Sequence, residues 1–170
     1  MEDGTSNTVS QEGSGQQEEV RRDLLAYGTQ VVLDGRAADR EKLGSVAVVE
    51  RYLMDALERL EPGEEPLVRT AVAAEGEGAG VSAVARLKES GVMVHTFTGL
   101  GRLTVRLVTS RSVPVDEERR AIVEAFSVGR HQTHVTARFR TMAWREDVLD
   151  RQLRGERDYA LVRLTEPLKL

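Results

Sequence analysis

Ser82, the neighbouring pair Glu89-Ser90, and His95 fall within one short stretch of this chain. A hydroxyl beside an imidazole is the arrangement that activates a nucleophile, because a ring nitrogen takes the proton as the oxygen attacks. The stretch Gly80-Val81-Ser82-Ala83-Val84-Ala85-Arg86-Leu87-Lys88-Glu89-Ser90-Gly91-Val92-Met93-Val94-His95-Thr96-Phe97 reads as a hairpin with a tight turn around Glu89-Ser90-Gly91. Ser82 and His95 lie on its two arms. Ser82 and Ser90 have the same parity along strands and a turn residue can face either way, so all three are expected in one neighbourhood if they share a sheet face. Two hydroxyls, an imidazole and a strained Glu-Ser bond could form a site that attacks its own backbone. Spacing alone favours a plainer account, with Ser90 a turn residue and His95 a half-buried strand histidine, because short hairpins are common.

Other combinations carry less chemistry. Gly76-Glu77-Gly78-Ala79-Gly80 superficially resembles a phosphate-binding loop. It precedes a strand, lacks a following Lys-Ser/Thr and, with Glu75 before it, carries two glutamates that would repel phosphate, so a hairpin connection is expected. His131 and His134, three apart on a strand, point to opposite faces with no third ligand nearby, and no metal is expected. Asp34 and Glu50 are single carboxylates, which by themselves define no acid–base pair.

The elements that must position these residues follow from hydrophobic period. Tyr27–Asp34 is a short β-rich run closed by Gly35. From Asp39 to Leu60, Leu43, Val46, Val49, Leu53, Leu57 and Leu60 recur every three or four residues, which predicts one long helix stopped by Pro62-Gly63. Leu67–Ala74, Val81–Lys88, Val92–Phe97 and Leu103–Thr109 predict strands whose short connections require antiparallel neighbours. Pro114-Val115-Asp116 opens a helix to about Phe126, and His134–Arg140 alternates as a strand. The order β, long α, four β, α, β predicts an α+β fold: a two-layer sandwich, antiparallel sheet with two helices on one face. A helical stretch near Trp144–Leu153 and a strand-like Tyr159–Leu164 read as an addition over 141–170. Residues 1–22, rich in Gly, Ser, Gln and Glu, read as a disordered acidic and polar extension to a domain over 23–140.

Composition bounds the function classes. The 170 residues include no cysteine, which removes disulfides, thiolate metal sites and thiol catalysis together. No apolar run approaches the roughly 20 residues that span a bilayer, and the polar N-terminus is unlike a secretory signal, so a cytoplasmic protein with no membrane partner is expected. Residues 1–100 carry 10 basic and 18 acidic groups and residues 101–170 carry 14 and 10. The arginines of the second half alternate with acids and form no block, so no nucleic-acid partner is expected.

The hairpin stretch resembles the processing site of the prokaryotic S-adenosylmethionine decarboxylases. That family's pattern is Gly-Val-Ser-Gly, then Glu-Ser-His, then Ile-His-Thr-Trp-Pro-Glu, and later Phe-Thr-Cys-Gly. Gly80-Val81-Ser82-Ala83, Glu89-Ser90 and Val94-His95-Thr96-Phe97 match in order and spacing. Gly28-Thr29-Gln30-Val31-Val32-Leu33-Asp34 and the long helix behind it fit the family's start, and the resemblance covers about residues 27–140.

The resemblance implies a chain that cuts itself. Ser90 would attack the Glu89 carbonyl to give an ester, and β-elimination would leave a pyruvoyl group at position 90. Ser82 and His95 would assist processing, the histidine as the elimination base. The pyruvoyl carbonyl would then hold a substrate amine as a Schiff base and draw electrons from the bond to its carboxylate. The implied substrate is S-adenosylmethionine, the product an aminopropyl donor for spermidine synthesis, and the assembly a homodimer or larger. Ornithine or arginine is a second substrate class, with Arg102 and Arg106 as candidate carboxylate contacts. A non-catalytic binding or regulatory homologue is a third reading. The chain departs from the family's pattern where the proton-donating cysteine falls at Ser110, a much weaker acid than a thiol. Trp-Pro-Glu is replaced by Phe97-Thr98-Gly99, the histidine after the cleavage serine by Gly91, and a first-strand histidine by Gln30.

Overall fold

The computed structural model describes residues 27–138, apart from 74, 77 and 112, and residues 145–165. The extension expected over 1–22, and Phe139, Arg140 and Trp144, lie outside the described residues. In chain order the elements are β1 (Tyr27–Arg36), α1 (Arg40–Gly44), α2 (Val46–Leu60), β2 (Leu67–Ala73), β3 (Gly80–Arg86), β4 (Ser90–Phe97), β5 (Arg102–Thr109), α3 (Val115–Phe126), β6 (Arg130–Arg138) and α4 (Glu146–Thr165).

The strands form one six-stranded sheet in the order β2-β3-β4-β5-β1-β6, with every neighbouring pair antiparallel. Alternation along each strand sends one set of side chains to each face. Val31, Leu33, Val81, Ala83, Val92, Val94, Val105 and Leu107 face the helix layer and pack against Leu43, Leu53, Leu57 and Phe126. Burying side chains of this size contributes about 1.5–3 kcal/mol each. Arg59 joins α2 to α3 through a two-pronged ion pair with the buried Glu118, at 2.8 Å on each oxygen. This is the α+β sandwich that the hydrophobic periods predict.

Two elements differ from those expectations. The single helix over Asp39–Leu60 is two, because Ser45 leaves helical geometry and caps α2 by accepting from the Val48 N–H at 3.3 Å. The apolar period survives the break, since Leu43 and Val49 both enter the core. Tyr159–Leu164, expected as strand, is the last part of α4. Leu149, Leu153, Ala160 and Leu164 all fall on the buried side of that helix, and this helical period overrides the local β-prone composition.

That last helix changes the architecture around the hairpin. α4 lies on the sheet face opposite the other helices: Leu149 and Leu153 pack on Val84, Met93 and Val108, and Ala160 and Leu164 on Phe97. β4 is therefore buried along its whole length. No helix among the described residues is long and apolar enough to cross a membrane.

Candidate active site

Ser82 and His95 are directly opposed across the β3–β4 ladder. Ser82 Oγ lies 3.0 Å from His95 Nδ1, and both residues are buried. Gly80 makes this approach possible. Its φ is +149°, and a Cβ there would fall 2.1 Å from the Thr96 carbonyl oxygen, so no other residue fits between β3 and β4 at this point. Thr96 completes the clasp by accepting from the Val81 N–H at 2.8 Å and donating to the Leu43 carbonyl at 2.6 Å.

Arg157, from α4, reaches down onto the pair. Its guanidinium donates to Ser82 Oγ and to the carbonyls of Gly78, Val81 and Thr96, and lies 4.7 Å over the Phe97 ring. Arginine can only donate, so the Ser82 proton is free for His95 Nδ1, and in that tautomer the ring proton sits on Nε2. Burial pushes the His95 pKa down to about 3, helped by the charges of Arg157, Arg106 and Arg163. The imidazole is neutral at physiological pH, and its buried Nε2 has no hydrogen-bond partner among the described residues.

His95 also lines a cavity of about 670 Å3 between α4 and the sheet. Gln30, Val32, Thr104 and Arg106 form its floor; Gln152, Glu156, Tyr159 and Arg163 are among the α4 residues that close it. Arg106 is paired with Glu156, and Arg163 reaches Asp34 at 2.6 Å and Thr104 Oγ1 at 2.9 Å.

Ser90 is elsewhere. It is the first residue of β4, five positions from His95, and this odd separation puts the two side chains on opposite faces. Its buried hydroxyl lies 2.7 Å from Thr109 Oγ1, opposite it on β5. The reversal between β3 and β4 runs through Leu87–Glu89, closed by the Leu87 N–H donating to the Ser90 carbonyl at 2.8 Å. The Glu89 carbonyl accepts from the Ser110 N–H at 3.2 Å, and Ser110 Oγ donates to the Glu89 carboxylate at 2.6 Å. The hairpin therefore holds two groupings: Ser82 with His95 under α4, and Glu89, Ser90, Thr109 and Ser110 at the turn end.

The other singled-out residues take structural positions. Glu50 accepts from Thr70 Oγ1 at 2.7 Å, away from both groupings, and Asp34 is the partner of Arg163. Arg102 begins β5, whereas Arg106 enters the cavity. His131 and His134 are exposed on β6, and among the described residues no three His, Cys, Asp or Glu cluster as metal ligands. Gly76, Gly78 and Ala79 fall in the connection between the antiparallel β2 and β3, Gly80 begins β3, and Glu77 lies outside the described residues. Sequence reasoning missed Thr109, Arg157 and Arg163. Ala160 and Leu164 carried the signal for the last two: read as a helix, their segment turns Arg157 and Arg163 toward the sheet.

Comparison with known proteins covers the sheet and its first helix layer. The sequence pattern of the S-adenosylmethionine decarboxylase family matches residues 29–139, which excludes α4. No curated protein matches the chain. The crystal structure of the adenosylmethionine decarboxylase from Aquifex aeolicus VF5 is similar in fold, with a TM-score of 0.55 at 18% identity over 68% of this chain and 92% of that one. With most of its length matched by the family pattern, this chain belongs to the S-adenosylmethionine decarboxylase family.

Proposed function

We propose that the chain is a self-processing pyruvoyl-dependent decarboxylase that cuts its own Glu89–Ser90 bond and acts on S-adenosylmethionine. The observation that carries this reading is the arrangement at the turn. The Glu89 carbonyl already accepts an amide N–H from Ser110, a donor placed where negative charge would develop on that oxygen. Thr109 Oγ1 is within hydrogen-bond distance of the Ser90 hydroxyl and is itself positioned by the Arg111 N–H at 3.1 Å.

In this reading Ser90 Oγ attacks the Glu89 carbonyl carbon, the peptide C–N bond breaks, and the freed amine takes the hydroxyl proton. Loss of the Ser90 Cα proton then expels the ester oxygen, leaving Glu89 as a carboxylate. Water converts the remaining enamine to a ketone and releases ammonia. The donor set at the turn fits a carbonyl group at position 90, with the Thr109 hydroxyl and the Ser110 amide as the groups that would hold it. A pyruvoyl group there supplies an electron sink for the bond to the departing carboxylate. His95 lies on the other sheet face from Ser90, so within one chain it is not placed as the elimination base that the resemblance implies, and the reading keeps a homodimer or larger assembly as part of the proposal.

Ser110, at the family's cysteine position, is the candidate proton donor. Carbon dioxide release from carboxyl-labelled S-adenosylmethionine tests the reading, with ornithine and arginine as the alternative substrates. Release that is abolished by Ser90→Ala supports it, and no release from any of the three overturns it.

A second reading, a non-catalytic binding homologue, is favoured by one observation. Ser82 and His95 are tied down by Arg157 beneath a helix outside the family-matched residues, on the face away from Ser90. A chain that stays whole and releases no carbon dioxide would support this reading.

A further inference from the structure

The cavity beneath α4 is lined by hydrogen-bond donors that the fold leaves unused. His95 is 2% exposed, and its Nε2 has no partner among the described residues. The Nε atoms of Arg106 and Arg163, two other lining residues, are likewise buried without partners among the described residues. Buried donors in native proteins are nearly always satisfied, and several unsatisfied donors around one cavity point to an acceptor that enters it. The nearby carboxylates are already engaged. Glu156 accepts from Arg106 and from Gln152, and Asp34 from Arg163.

Charge narrows the choice of acceptor. Arg106 and Arg163 are each balanced by a carboxylate, whereas Arg157, just outside the cavity lining, hydrogen-bonds among the described residues to neutral oxygens, Ser82 Oγ and the carbonyls of Gly78, Val81 and Thr96. That charge acts on His95 from beside the cavity, and together with the two free arginine Nε–H groups it favours a negatively charged acceptor. A volume of about 670 Å3 is ample for a molecule of amino-acid size and larger than an isolated ion needs.

We propose that this cavity binds the carboxylate of a small amino-acid-sized molecule, with His95 Nε2–H and the Arg106 and Arg163 Nε–H groups as its donors. The ligand seats between the sheet and α4, so α4 is one wall of the site. The site does not depend on cleavage at Ser90, because every donor belongs to the uncut chain.

The test uses the full-length Ser90→Ala chain, which stays whole whatever the wild-type protein does at that bond. Ring-nitrogen NMR of its three histidines is followed while S-adenosylmethionine, L-ornithine, L-arginine, their decarboxylated amines and inorganic phosphate are added in turn. His131, exposed on β6, serves as the unaffected reference. At least one of the amino acids is expected to shift the His95 ring nitrogens, and its decarboxylated amine to bind at least about tenfold more weakly. Arg163→Gln is expected to weaken the amino acid by about tenfold. Should that variant not fold, the His95 signal of the parent chain decides. No His95 shift at millimolar amino acid, equal binding of the amine, or tighter binding of phosphate overturns the proposal. Intact mass of the wild-type chain reports separately on cleavage, so failure of this site and failure of the decarboxylase reading are distinct results.

Discussion

Ser82 and His95 face one another across β3 and β4 at 3.0 Å, while Ser90, on the same hairpin, turns to the other side of the sheet and meets Thr109. The separation divides the roles. The turn end holds a serine, a polarised carbonyl and an amide donor. The middle of the hairpin holds a neutral imidazole that opens onto a cavity closed by α4.

Arg157 fixes the second grouping. Arg157→Met removes its hydrogen bonds to Ser82 and three carbonyls and is expected to cost about 1–3 kcal/mol, the range for charge-assisted hydrogen bonds. Urea unfolding measures the loss. The His95 pKa is expected to rise at the same time, because one of the charges depressing it is gone. A His95 titration unchanged in this variant would remove Arg157 from the electrostatics of the site.

Neutral burial of His95 makes stability depend on pH. Its folded pKa of about 3 lies below the ordinary 6.5, so on acidification the unfolded chain takes up the proton first. The stability it contributes is fully present above pH 6.5 and is lost progressively as the pH falls toward 3. Wild-type stability relative to His95→Gln is expected to decline by up to about 1.4 kcal/mol per pH unit in that window. Urea midpoints across it measure the slope, and a constant difference would contradict the assignment.

Gly80→Ala tests the close approach that pairs Ser82 with His95. The added methyl would collide with the Thr96 carbonyl, which is backbone and cannot rotate aside. Destabilisation of about 3 kcal/mol is expected, a drop in Tm of roughly 6–12 °C for a chain of this size. A variant as stable as wild type would show that β3 and β4 can separate here without cost.

Ser110→Cys addresses turnover. A thiol is the stronger acid, and if proton donation from this position limits the reaction, decarboxylation should accelerate by about 10–100-fold. Release of labelled carbon dioxide measures it, and an unchanged rate would place the proton donor elsewhere.

Much of this was legible in the sequence, for reasons of period and parity. Alternating Val, Leu and Ala residues define β1 and β3–β5, and the 3–4 spacing of Leu43–Leu60 survives the interruption at Ser45. Ser82 and His95 could be placed on facing arms because any short reversal between them brings these positions close. The face of Ser90 could not. Its side is set by where the turn ends, and a one-residue change of register flips every side chain. The reversal occupies Leu87–Glu89, two positions earlier than a turn centred on Ser90. α4 was half-hidden because Tyr159-Ala160-Leu161-Val162-Arg163-Leu164 mixes β-prone residues with helical spacing. Only its packing against Phe97 decides the matter.

The most direct measurement is the intact mass of the purified wild-type chain beside Ser90→Ala. Self-processing predicts residues 1–89 and a second fragment from position 90 to 170 that begins with a pyruvoyl group in place of serine, whereas Ser90→Ala stays at 18.8 kDa. A wild-type chain that remains a single species of 18.8 kDa, with an unmodified serine at position 90, would contradict the account.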